Sequence, residues 1–531
     1  MNYNRLKKGI AVLAVGTMLT FSIAGCSLTN NNSSNTTNTT STTVEASDLN
    51  NLFSNRDLDA SYDASSPKIT LSDSSITSDS SNATVNGNTV TITAAGTYIL
   101  TGSSKDAQIV VEAGDTDKVQ LVFDNVSLTS SQATALFVKQ ADKVFITLAD
   151  GSTNTISVSS DAQTVGDDNV DGAIYSKDDI TINGNGTLNV TSDKTSAIVG
   201  NDDVKLVSGI INATGGKHAI KGNDTISVKD AVVTANATKD GLHSDGNINI
   251  VGGNVNIANS NEGMEATIIN IAGGETTVNA KDDGLNATSP DSNTGNDPMA
   301  TDSNAALNIS GGKLTVIADG DGLDSNGGLY ISGGETYVSG PTNDGNTAMD
   351  FNSECVITGG TLIAAGSSGM IEAISDKSTQ AVMTVNASSN SGTIKVTDST
   401  GAVVAEYTPT KSYACATITS PNLKVGETYK VYCGDTSEDI TLSSTVTSNV
   451  TATMGGGMKG GGRGQMQQNQ KQSAPTGQTQ TGEGMQAPPD GQMQAPPDGQ
   501  MPQGQMKQDK ANRGNKQQNL LINRDKNTNI C

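Results

Sequence analysis

The chain has no tryptophan and few aromatic residues of any kind. Its 531 residues include only 10 Tyr and 6 Phe, against 58 Gly. A compact globular core usually depends on bulky aromatic and leucine side chains, so this composition argues against one. The apolar residues are mostly Val, Ile and Ala, and they alternate with polar residues. This alternation predicts many short β-strands that each bury one face.

Positive charge is scarce outside the two ends of the chain. The formal net charge is −23, whereas residues 1–26 and 454–531 are both net basic, so the span between them carries a net charge of about −30. Such a field repels nucleic acid and anionic membranes, and nucleic acid is excluded as a partner. An acidic body suits a soluble extracellular protein or one that holds divalent cations.

The motifs of common catalytic sites are also missing. The chain has two histidines, His218 and His243, and it lacks a Gly-x-Ser-x-Gly elbow, a phosphate-binding loop and zinc-ligand spacing. The histidines are expected to occupy stacked, solvent-facing positions about one repeat apart. No catalytic residue is assigned, and the chain is predicted not to be an enzyme.

The first residues have the features of a targeting segment. A basic start and a short apolar stretch lead to Ile23-Ala24-Gly25-Cys26, which matches a bacterial lipobox. The apolar stretch is too short to predict a spanning helix. We therefore predict a lipoprotein signal peptide, with an ordinary signal peptide as the alternative. Lipidated Cys26 would anchor an extracellular protein to the outer face of the bacterial cell membrane, as its only contact with the membrane.

The other cysteines match no metal-ligand spacing. Cys415 and Cys433 can form a disulfide, because export permits disulfides, or can remain free thiols. Cys355 is expected to be a small core residue.

Composition divides the chain into five segments. The stretch after Cys26 is rich in Ser, Thr and Asn, and the C-terminal stretch is rich in Gly, Gln, Met and Pro. Neither composition can bury a core. The predicted domains are a signal peptide (1–26), a flexible tether (27–60), a parallel β-helix with its N-terminal cap (61–379), a small β module or C-terminal cap (380–453) and a disordered tail (454–531).

A strand followed by a Gly-Gly turn repeats through the central part. Ile269–Gly274 is one copy, Leu307–Gly312 the next, and Leu329–Gly334 the third. Helical spacing of apolar residues is absent, and a period of about 22 residues with short strands fits one coil of a parallel β-helix. Weaker copies of the strand run back through Val228, Leu206, Ile182, Ile146 and Leu121. The Gly-Gly pairs are predicted to be architectural.

Asp-Gly-Leu, or a close variant, recurs before the later strands. Residues at the same place in successive coils stack ~4.8 Å apart, so two columns of polar side chains are expected. The first column comprises Asp240, Glu262, Asp283 and Asp321, with Asp344 as the candidate for its next member, and the second comprises His243, Glu265, Asn286 and Asp324. We call the predicted ligand set the acidic corner: Asp240, Glu262, Glu265, Asp283, Asn286, Asp321 and Asp324.

The acidic corner predicts a calcium site. Carboxylates at this spacing repel unless a cation lies between them, and calcium takes six to eight oxygen ligands of these kinds. The alternative is that each Asp-Gly pair only forms a turn, with Asp capping the backbone and Gly supplying a positive φ. That alternative accounts for the first column and leaves the second unexplained.

The chain resembles the exported carbohydrate-binding β-helix proteins of cellulolytic clostridia. The resemblance covers about Ile92 to Val450 and rests on Gly96-Thr97-Tyr98-Ile99-Leu100-Thr101-Gly102, the serial Asp-Gly-Leu and Ile-Ser-Gly-Gly motifs, Ser420–Tyr429 and the Gly/Met-rich tail. It implies a right-handed parallel β-helix of pectate-lyase-like shape that binds calcium, cellulose and acidic plant polysaccharide.

These observations predict a monomeric cell-surface lipoprotein that binds plant cell-wall polysaccharide with calcium. Acidic glycans such as polygalacturonate are favoured, because calcium bridges like charges; cellulose would need aromatic surfaces such as Tyr330 and Tyr337. One alternative is a calcium-dependent polysaccharide lyase, although Lys221, Lys239 and Lys281 are the few basic residues near the corner. The other is a structural surface protein or adhesin.

Overall fold

The computed structural model describes residues 48–163, 170–290 and 300–450. The predicted signal peptide with Cys26, residues 27–47 of the predicted tether and the predicted tail lie outside these residues. The described part contains one 3-10 helix (Asp48–Asn51) and one α-helix (Asn55–Leu58), and its other regular elements are strands. No helix in these ranges is long and apolar enough to cross a membrane. The predicted all-β class is confirmed.

The strands form a β-solenoid of about ten turns. Three parallel ladders run through successive coils, and we name them A, B and C in chain order within a coil. Six long strands belong to two ladders each: Gly96–Ser104, Lys118–Gln132, Leu242–Ile250, Met264–Ile271, Gly328–Ser339 and Cys355–Gly366.

The remaining solenoid strands belong to one ladder each. Ladder A contains Thr89–Ile92, Gln108–Glu112, Leu136–Gln140, Gly172–Ser176, Ser196–Gly200, Ile220–Gly222, Leu285–Ala287, Leu323–Ser325 and Met349–Phe351. Ladder B contains Lys68–Leu71, Lys143–Leu148, Asp179–Gly184, Asp203–Leu206, Thr225–Val228 and Ala306–Ile309. Ladder C contains Thr153–Gln163, Thr187–Ser192, Ile210–Gly215, Val232–Ala237, Asn254–Ser260, Glu275–Ala280 and Lys313–Ala318.

The register of ladder B confirms the repeat predicted from the sequence. Each apolar position aligned there pairs with its counterpart in the next coil, and all of these side chains are buried in one continuous core. The paired series is Leu121, Ile146, Ile182, Leu206, Val228, Ile250, Ile271, Ile309, Ile331 and Ile357. Val, Ile and Leu alternate with polar residues because one face of each strand points into this core.

Both glycines of each Gly-Gly turn are required, for different reasons. The second glycine has a positive φ, for example +72° at Gly312. The first lies against the preceding coil, and a Cβ at Gly311 would stand 2.3 Å from the carbonyl oxygen of Ala272. Such an approach is closer than any side chain permits, so these pairs are architectural.

The N-terminal cap pairs two short strands with the first coil. Thr77–Ser78 runs antiparallel to Lys68–Leu71, and Ala83–Asn86 runs antiparallel to Thr89–Ile92. These antiparallel partners cover strands whose backbone would otherwise stay unpaired at the solenoid end.

The segment 48–60 differs from the predicted tether, because it is docked on ladder B. Ser54 caps the α-helix, and Asp57, which is fully buried, accepts a 2.6 Å hydrogen bond from the Thr181 hydroxyl. The Lys143 ammonium lies 2.7 Å from the Asp57 carboxylate. The composition of this stretch is mostly polar, and it is held by the buried Asp57 with Lys143 and Asn183 and by the buried side chain of Leu49.

The module after the repeat both extends and covers the solenoid. Val382–Asn390, Tyr413–Thr419 and Val446–Ser448 join the large sheet, in which Tyr413–Thr419 pairs antiparallel with the last coil. A separate antiparallel sheet has the order Val403–Tyr407, Ile394–Thr397, Thr428–Cys433 and Thr436–Thr441. The two sheets enclose a second hydrophobic core.

The disulfide considered between Cys415 and Cys433 is not formed. Both are buried free thiols, and they lie on different sheets: Cys415 on Tyr413–Thr419 and Cys433 on Thr428–Cys433. Burial raises the pKa of Cys415 to about 12 and that of Cys433 to about 11. Cys355 is fully buried in the solenoid core, as predicted.

Asp57 should stabilise the fold in a pH-dependent way. Burial alone would raise its pKa, but Lys143, Thr181 and Ser54 outweigh burial and lower the pKa to about 2. The unfolded value is about 3.9, so this stabilisation is present above pH 4 and is lost between about pH 4 and pH 2. Asp57→Asn should lower the unfolding free energy by about 3 kcal/mol at pH 7, because the buried Lys143 ammonium loses its nearest carboxylate and keeps only Asp179, at 3.8 Å.

Urea denaturation of wild type and Asp57→Asn at pH 7 and pH 2.5 would measure this difference. Asp193→Asn is the matched control, since Asp193 is exposed, and it should leave the midpoint unchanged. An equal effect of Asp57→Asn at both pH values would contradict the assignment.

Candidate functional site

Ladder A brings the first predicted column together at one corner of the coil. The backbone N–H after each member donates to the carbonyl of the corresponding residue in the next coil, as Gly263 does to Asp283 at 2.9 Å and Gly284 to Asp321 at 2.8 Å. In successive coils the first column therefore consists of His218, Asp240, Glu262, Asp283, Asp321 and Thr347. Thr347 takes the place considered for Asp344, because Asp344 lies outside the register.

The second column is equally regular. Paired Cα positions of ladder A join His243 to Glu265, Glu265 to Asn286, and Asn286 to Asp324. The column continues in both directions, to Lys221 before His243 and to Asp350 after Asp324. All seven residues of the acidic corner thus lie on adjacent positions of consecutive coils.

The alternative that each Asp-Gly pair only forms a turn is correct for the aspartates of the first column and incorrect for the glycines. The Asp283 carboxylate accepts a 2.7 Å hydrogen bond from the backbone N–H of Asp321, and Asp321 does the same for Thr347. The glycine, however, does not supply a positive φ at Gly284 or Gly322. It is needed for space, since a Cβ at Gly284 would stand 2.3 Å from the Val316 side chain of ladder C.

Carboxylates in the later coils raise one another's pKa. Burial is the largest cause at each residue, and neighbouring negative charges add to it. The pKa rises to about 8 at Glu262, to about 6 at Asp283 and to about 7 at Asp321. Burial, with Asp283 and Asp350 nearby, also raises the pKa of Asp324 well above its usual range. The described residues around these four acids offer too little positive charge to neutralise them.

Two acids that sequence reasoning missed extend this corner. Asp350 follows Asp324 in the second column, and Glu372 accepts a 3.0 Å hydrogen bond from the backbone N–H of Phe351. Burial, and then the charge of Asp350, raises the pKa of Glu372 to about 7. The signal for Asp350 was its place between the buried residues Met349 and Phe351, which repeats the spacing of Leu323-Asp324-Ser325.

The early end of the corner is different because it contains both histidines. The His218 and His243 rings are 4.5 Å apart, and each Nδ1 lies 2.9 Å from Oδ2 of Asp240. His218 is 8% exposed, so the prediction of solvent-facing histidines was wrong. Ala219 and Leu242 point into the core, so the adjacent His218 and His243 lie on the opposite face of ladder A, where the rings stack on each other and are covered by Asp240 and Glu265.

Charges at this end are balanced. Burial would raise the pKa of Asp240, but the neighbouring imidazoles outweigh burial and hold it well below its usual range. Burial would lower the pKa of His243, and Asp240 and Glu265 instead raise it to about 9. The histidine end thus neutralises itself, whereas the later coils do not.

The donor atoms of the later coils fit calcium. Asn286 donates from Nδ2 to the Glu262 carboxylate at 3.1 Å, which leaves its carbonyl oxygen Oδ1 buried without a hydrogen-bond partner. An unsatisfied buried amide oxygen among carboxylates is unfavourable unless a cation completes it. Carboxylate and amide oxygens are the ligands that calcium prefers. Asn286 and Glu262 would hold such an ion, and among the described acids the carboxylate oxygens of Asp240, Glu262 and Glu265 lie within 4.8 Å of one another.

The two tyrosines considered for binding neutral glycans differ in how much of the ring is accessible. Tyr337 stacks on Tyr407 at 5.0 Å between ring centroids and packs against the second core. Tyr330 is only half-buried, on the outer face of ladder B. Neither lies on ladder A, so the aromatic residues and the acidic corner do not form one surface.

The sequence is similar to a family of known proteins. The model of a family described as "carbohydrate-binding domain-containing protein" matches residues 86–345. The predicted resemblance is confirmed. A protein of that same description from Acetivibrio thermocellus is 36% identical over 124 residues, which are 23% of this chain and 43% of that relative. The chain therefore spans less than half the length of this relative.

A solved structure is also similar. It is described as a polysaccharide lyase-like protein from C. thermocellum, in a gadolinium derivative, and it is 26% identical. The alignment covers 55% of this chain and 96% of that one, with a TM-score of 0.33. The matched family segment contains the acidic corner from Asp240 to Asp324 and ends just before Asp350.

Removing one carboxylate from the later coils should stabilise the metal-free protein. The raised pKa of Asp324 means that its proton is bound in the folded state and released on unfolding, so it lowers stability increasingly as pH rises above about 4. In EDTA at pH 8, Asp324→Asn should raise the melting temperature by about 2–4 °C. Its melting temperature should also fall less than that of wild type between pH 6 and pH 8.

Thermal unfolding followed by circular dichroism would measure both effects. Asp230→Asn is the matched control, because Asp230 lies in an exposed turn beside Lys229. A lower melting temperature for Asp324→Asn in EDTA would contradict the prediction, because it would show that the Asp324 charge stabilises the metal-free fold.

Proposed function

We propose that this protein binds acidic plant cell-wall polysaccharide, such as polygalacturonate, in a calcium-dependent way at the acidic corner. The observation that carries the proposal is the pair of acidic columns in the later coils, with the unsatisfied Asn286 oxygen between them. The family match supports carbohydrate as the ligand class. Calcium and the acidic character of the glycan follow from the charge of the corner.

An acidic corner repels an acidic glycan unless positive charge stands between them. Bound calcium supplies that charge and keeps coordination positions open to ligand oxygens. Asp324 and Glu262 contribute carboxylate oxygens, and Asn286 contributes its carbonyl oxygen. Asp283 and Asp321 each use one oxygen to hold the next coil's backbone, which fixes the direction of the other.

The regular rise of ladder A matches a polymeric ligand better than a small one. Equivalent positions recur about every 4.8 Å along the corner, and carboxylates extend from Glu262 to Glu372 through consecutive coils. A uronic acid polymer repeats its charge along its length, so several residues of the glycan can be bound at once. Such multiple contacts raise avidity without a deep pocket.

A lyase remains the second candidate, on one specific observation. Lys221 pairs with His243 in ladder A and so lies in the same column as the acids. A lyase needs a base beside its calcium, and Lys221 is separated from Asn286 by His243 and Glu265. This separation favours binding without cleavage. For neutral glycans such as cellulose, the half-buried Tyr330 is the remaining aromatic candidate.

Asp283→Asn/Asp321→Asn should weaken calcium binding at least tenfold. These changes remove two ligand charges and keep the side-chain shape and the capping of the backbone. Calorimetric titration of calcium into EDTA-treated protein would measure the affinity. Retention on immobilised polygalacturonate should require calcium in wild type and be lost in this variant.

Asp230→Asn again serves as the control, and it should behave as wild type in both measurements. Unchanged calcium affinity in the double variant would refute the site. Calcium binding without retention on polygalacturonate would refute the proposed glycan specificity. It would favour the alternative that the protein is a structural surface protein or adhesin. A rise in absorbance at 235 nm during incubation with polygalacturonate would show that the protein is a lyase and does more than bind the glycan.

We further propose that the lipobox cysteine anchors the protein to the outer face of the cell membrane. The support is the sequence Ile23-Ala24-Gly25-Cys26 behind a basic and then apolar stretch. Residues 27–47, rich in Ser, Thr and Asn, would then separate the lipid from the docked α-helix at Asn55–Leu58. This arrangement presents the solenoid to an insoluble polymer outside the cell.

Cys26→Ser should abolish lipidation of the protein. In a bacterial host that processes lipoproteins, the wild-type protein should take up a labelled fatty acid and fractionate with membranes, and the variant should do neither. Cys531→Ser is the control and should change nothing. Incorporation of label by Cys26→Ser would contradict the proposal.

A further inference from the structure

The early end of the corner has nitrogen donors that the later coils lack. Nδ1 of His218 and Nδ1 of His243 approach the same oxygen of Asp240, at 2.9 Å each. Oε2 of Glu265 lies 3.7 Å from Nδ1 of His243. Two imidazole nitrogens and one carboxylate oxygen, from His218, His243 and Asp240, therefore lie within 4.8 Å of one another, and Glu265 lies beside His243.

These separations fit a small tetrahedral metal ion. Bonds of about 2.0–2.2 Å to nitrogen and oxygen place neighbouring tetrahedral donors about 3.4 Å apart. Each imidazole nitrogen lies 2.9 Å from the Asp240 oxygen, so each donor pair would open by about half an ångström to admit the ion. Calcium, with bonds of 2.3–2.6 Å and a preference for oxygen, fits this donor set poorly.

A buried donor without a partner points into this space. His218 is more than nine-tenths buried, and its Nδ1 has no hydrogen-bond partner although it lies 2.9 Å from Oδ2 of Asp240. A buried ring nitrogen in this state is unfavourable. A metal ion between His218, His243 and Asp240 would satisfy it.

The outer side of His243 has the arrangement expected of a metal ligand. Its Nε2 lies 3.3 Å from Oδ1 of Asp245, while its Nδ1 faces Asp240 and Glu265. Metal-binding histidines commonly donate their second ring N–H to a carboxylate, which fixes the ring and the tautomer. Asp245 would position His243 in this way without touching the metal.

A metal-free ion pair explains only part of the geometry. A protonated His243 between Asp240 and Glu265 would account for those three side chains. It leaves Nδ1 of His218 buried and unsatisfied, 4.5 Å from a second, charged ring. The pairing of two histidines on one carboxylate oxygen is the feature that the ion pair does not explain.

We propose that His218, His243 and Asp240 form a second metal site, which binds zinc or a similar transition-metal ion. This site adjoins the calcium site proposed for Glu262, Asp283, Asn286, Asp321 and Asp324, because the carboxylate oxygens of Asp240 and Glu262 lie within 4.8 Å of each other. The two sites share one wall of the solenoid and differ in ligand chemistry. Asp240, predicted from the sequence as a calcium ligand, belongs to the zinc site.

The test uses full-length protein that has been treated with EDTA. Calorimetry should show one zinc ion bound per chain with micromolar or tighter affinity, and His218→Gln/His243→Gln should weaken it at least tenfold. Calcium binding and retention on polygalacturonate should be unchanged in that variant. Asp321→Asn/Asp324→Asn is the reciprocal control, and it should retain zinc binding.

Cobalt gives a measurement that needs no variant. Wild-type protein loaded with Co²⁺ should show the intense visible absorption of a tetrahedral ion, and added zinc should abolish it. A weak octahedral spectrum, or zinc affinity that survives the histidine changes, would overturn the proposal. Loss of zinc binding in the Asp321→Asn/Asp324→Asn variant would also overturn it, by showing that zinc occupies the calcium ligands.

Discussion

Parallel stacking of the backbone is the constraint on which the rest of this structure depends. Each coil pairs in register with the next, so a residue type repeated at one place in the sequence becomes a column of equal side chains ~4.8 Å apart. Apolar columns give the continuous core. Asparagines form a buried hydrogen-bonded series in ladder B, from Asn249 through Asn270 to Asn308. Repeated carboxylates give the corner, which no single coil could provide.

The same constraint makes the corner electrostatically different from an ordinary acidic surface. Exposed carboxylates relieve repulsion by moving apart or by hydration, whereas Asp283 and Asp321 are held by hydrogen bonds to the next coil. Their carboxylates therefore stay at short range, and burial together with their mutual repulsion raises their pKa. In the calcium site that we propose, folding and cation binding would be coupled, because the geometry that stabilises the backbone is the one that concentrates the carboxylates.

The sequence was sufficient for everything that depends on periodicity. The ladder B register from Leu121 to Ile357 and both columns of the corner follow from spacing alone, because one coil contributes one residue to each ladder position. Prediction was less successful where spacing is irregular. Asp344 was considered for the first column because it precedes a glycine, but the step from Asp321 places Thr347 there and Asp350 in the second column.

Contacts between distant segments could not be predicted at all. Asp57 lies in a polar stretch with no apolar pattern, and its partners Lys143 and Thr181 belong to different coils. The direction of the His218 and His243 rings depends on the packing of their neighbours, which a repeat pattern does not specify. Periodicity predicts which residues share a column, and packing decides whether that column faces solvent or the interior.

The two metal sites that we propose differ because residue types change along the columns while the backbone repeat does not. Its first positions change from histidine to aspartate, then to glutamate and aspartate, while the backbone geometry stays constant. Nitrogen donors therefore occur only at the early end, and oxygen donors accumulate toward Asp350. Since ligand type decides between zinc-like and calcium-like ions, substitution along one column is enough to set the order of the sites.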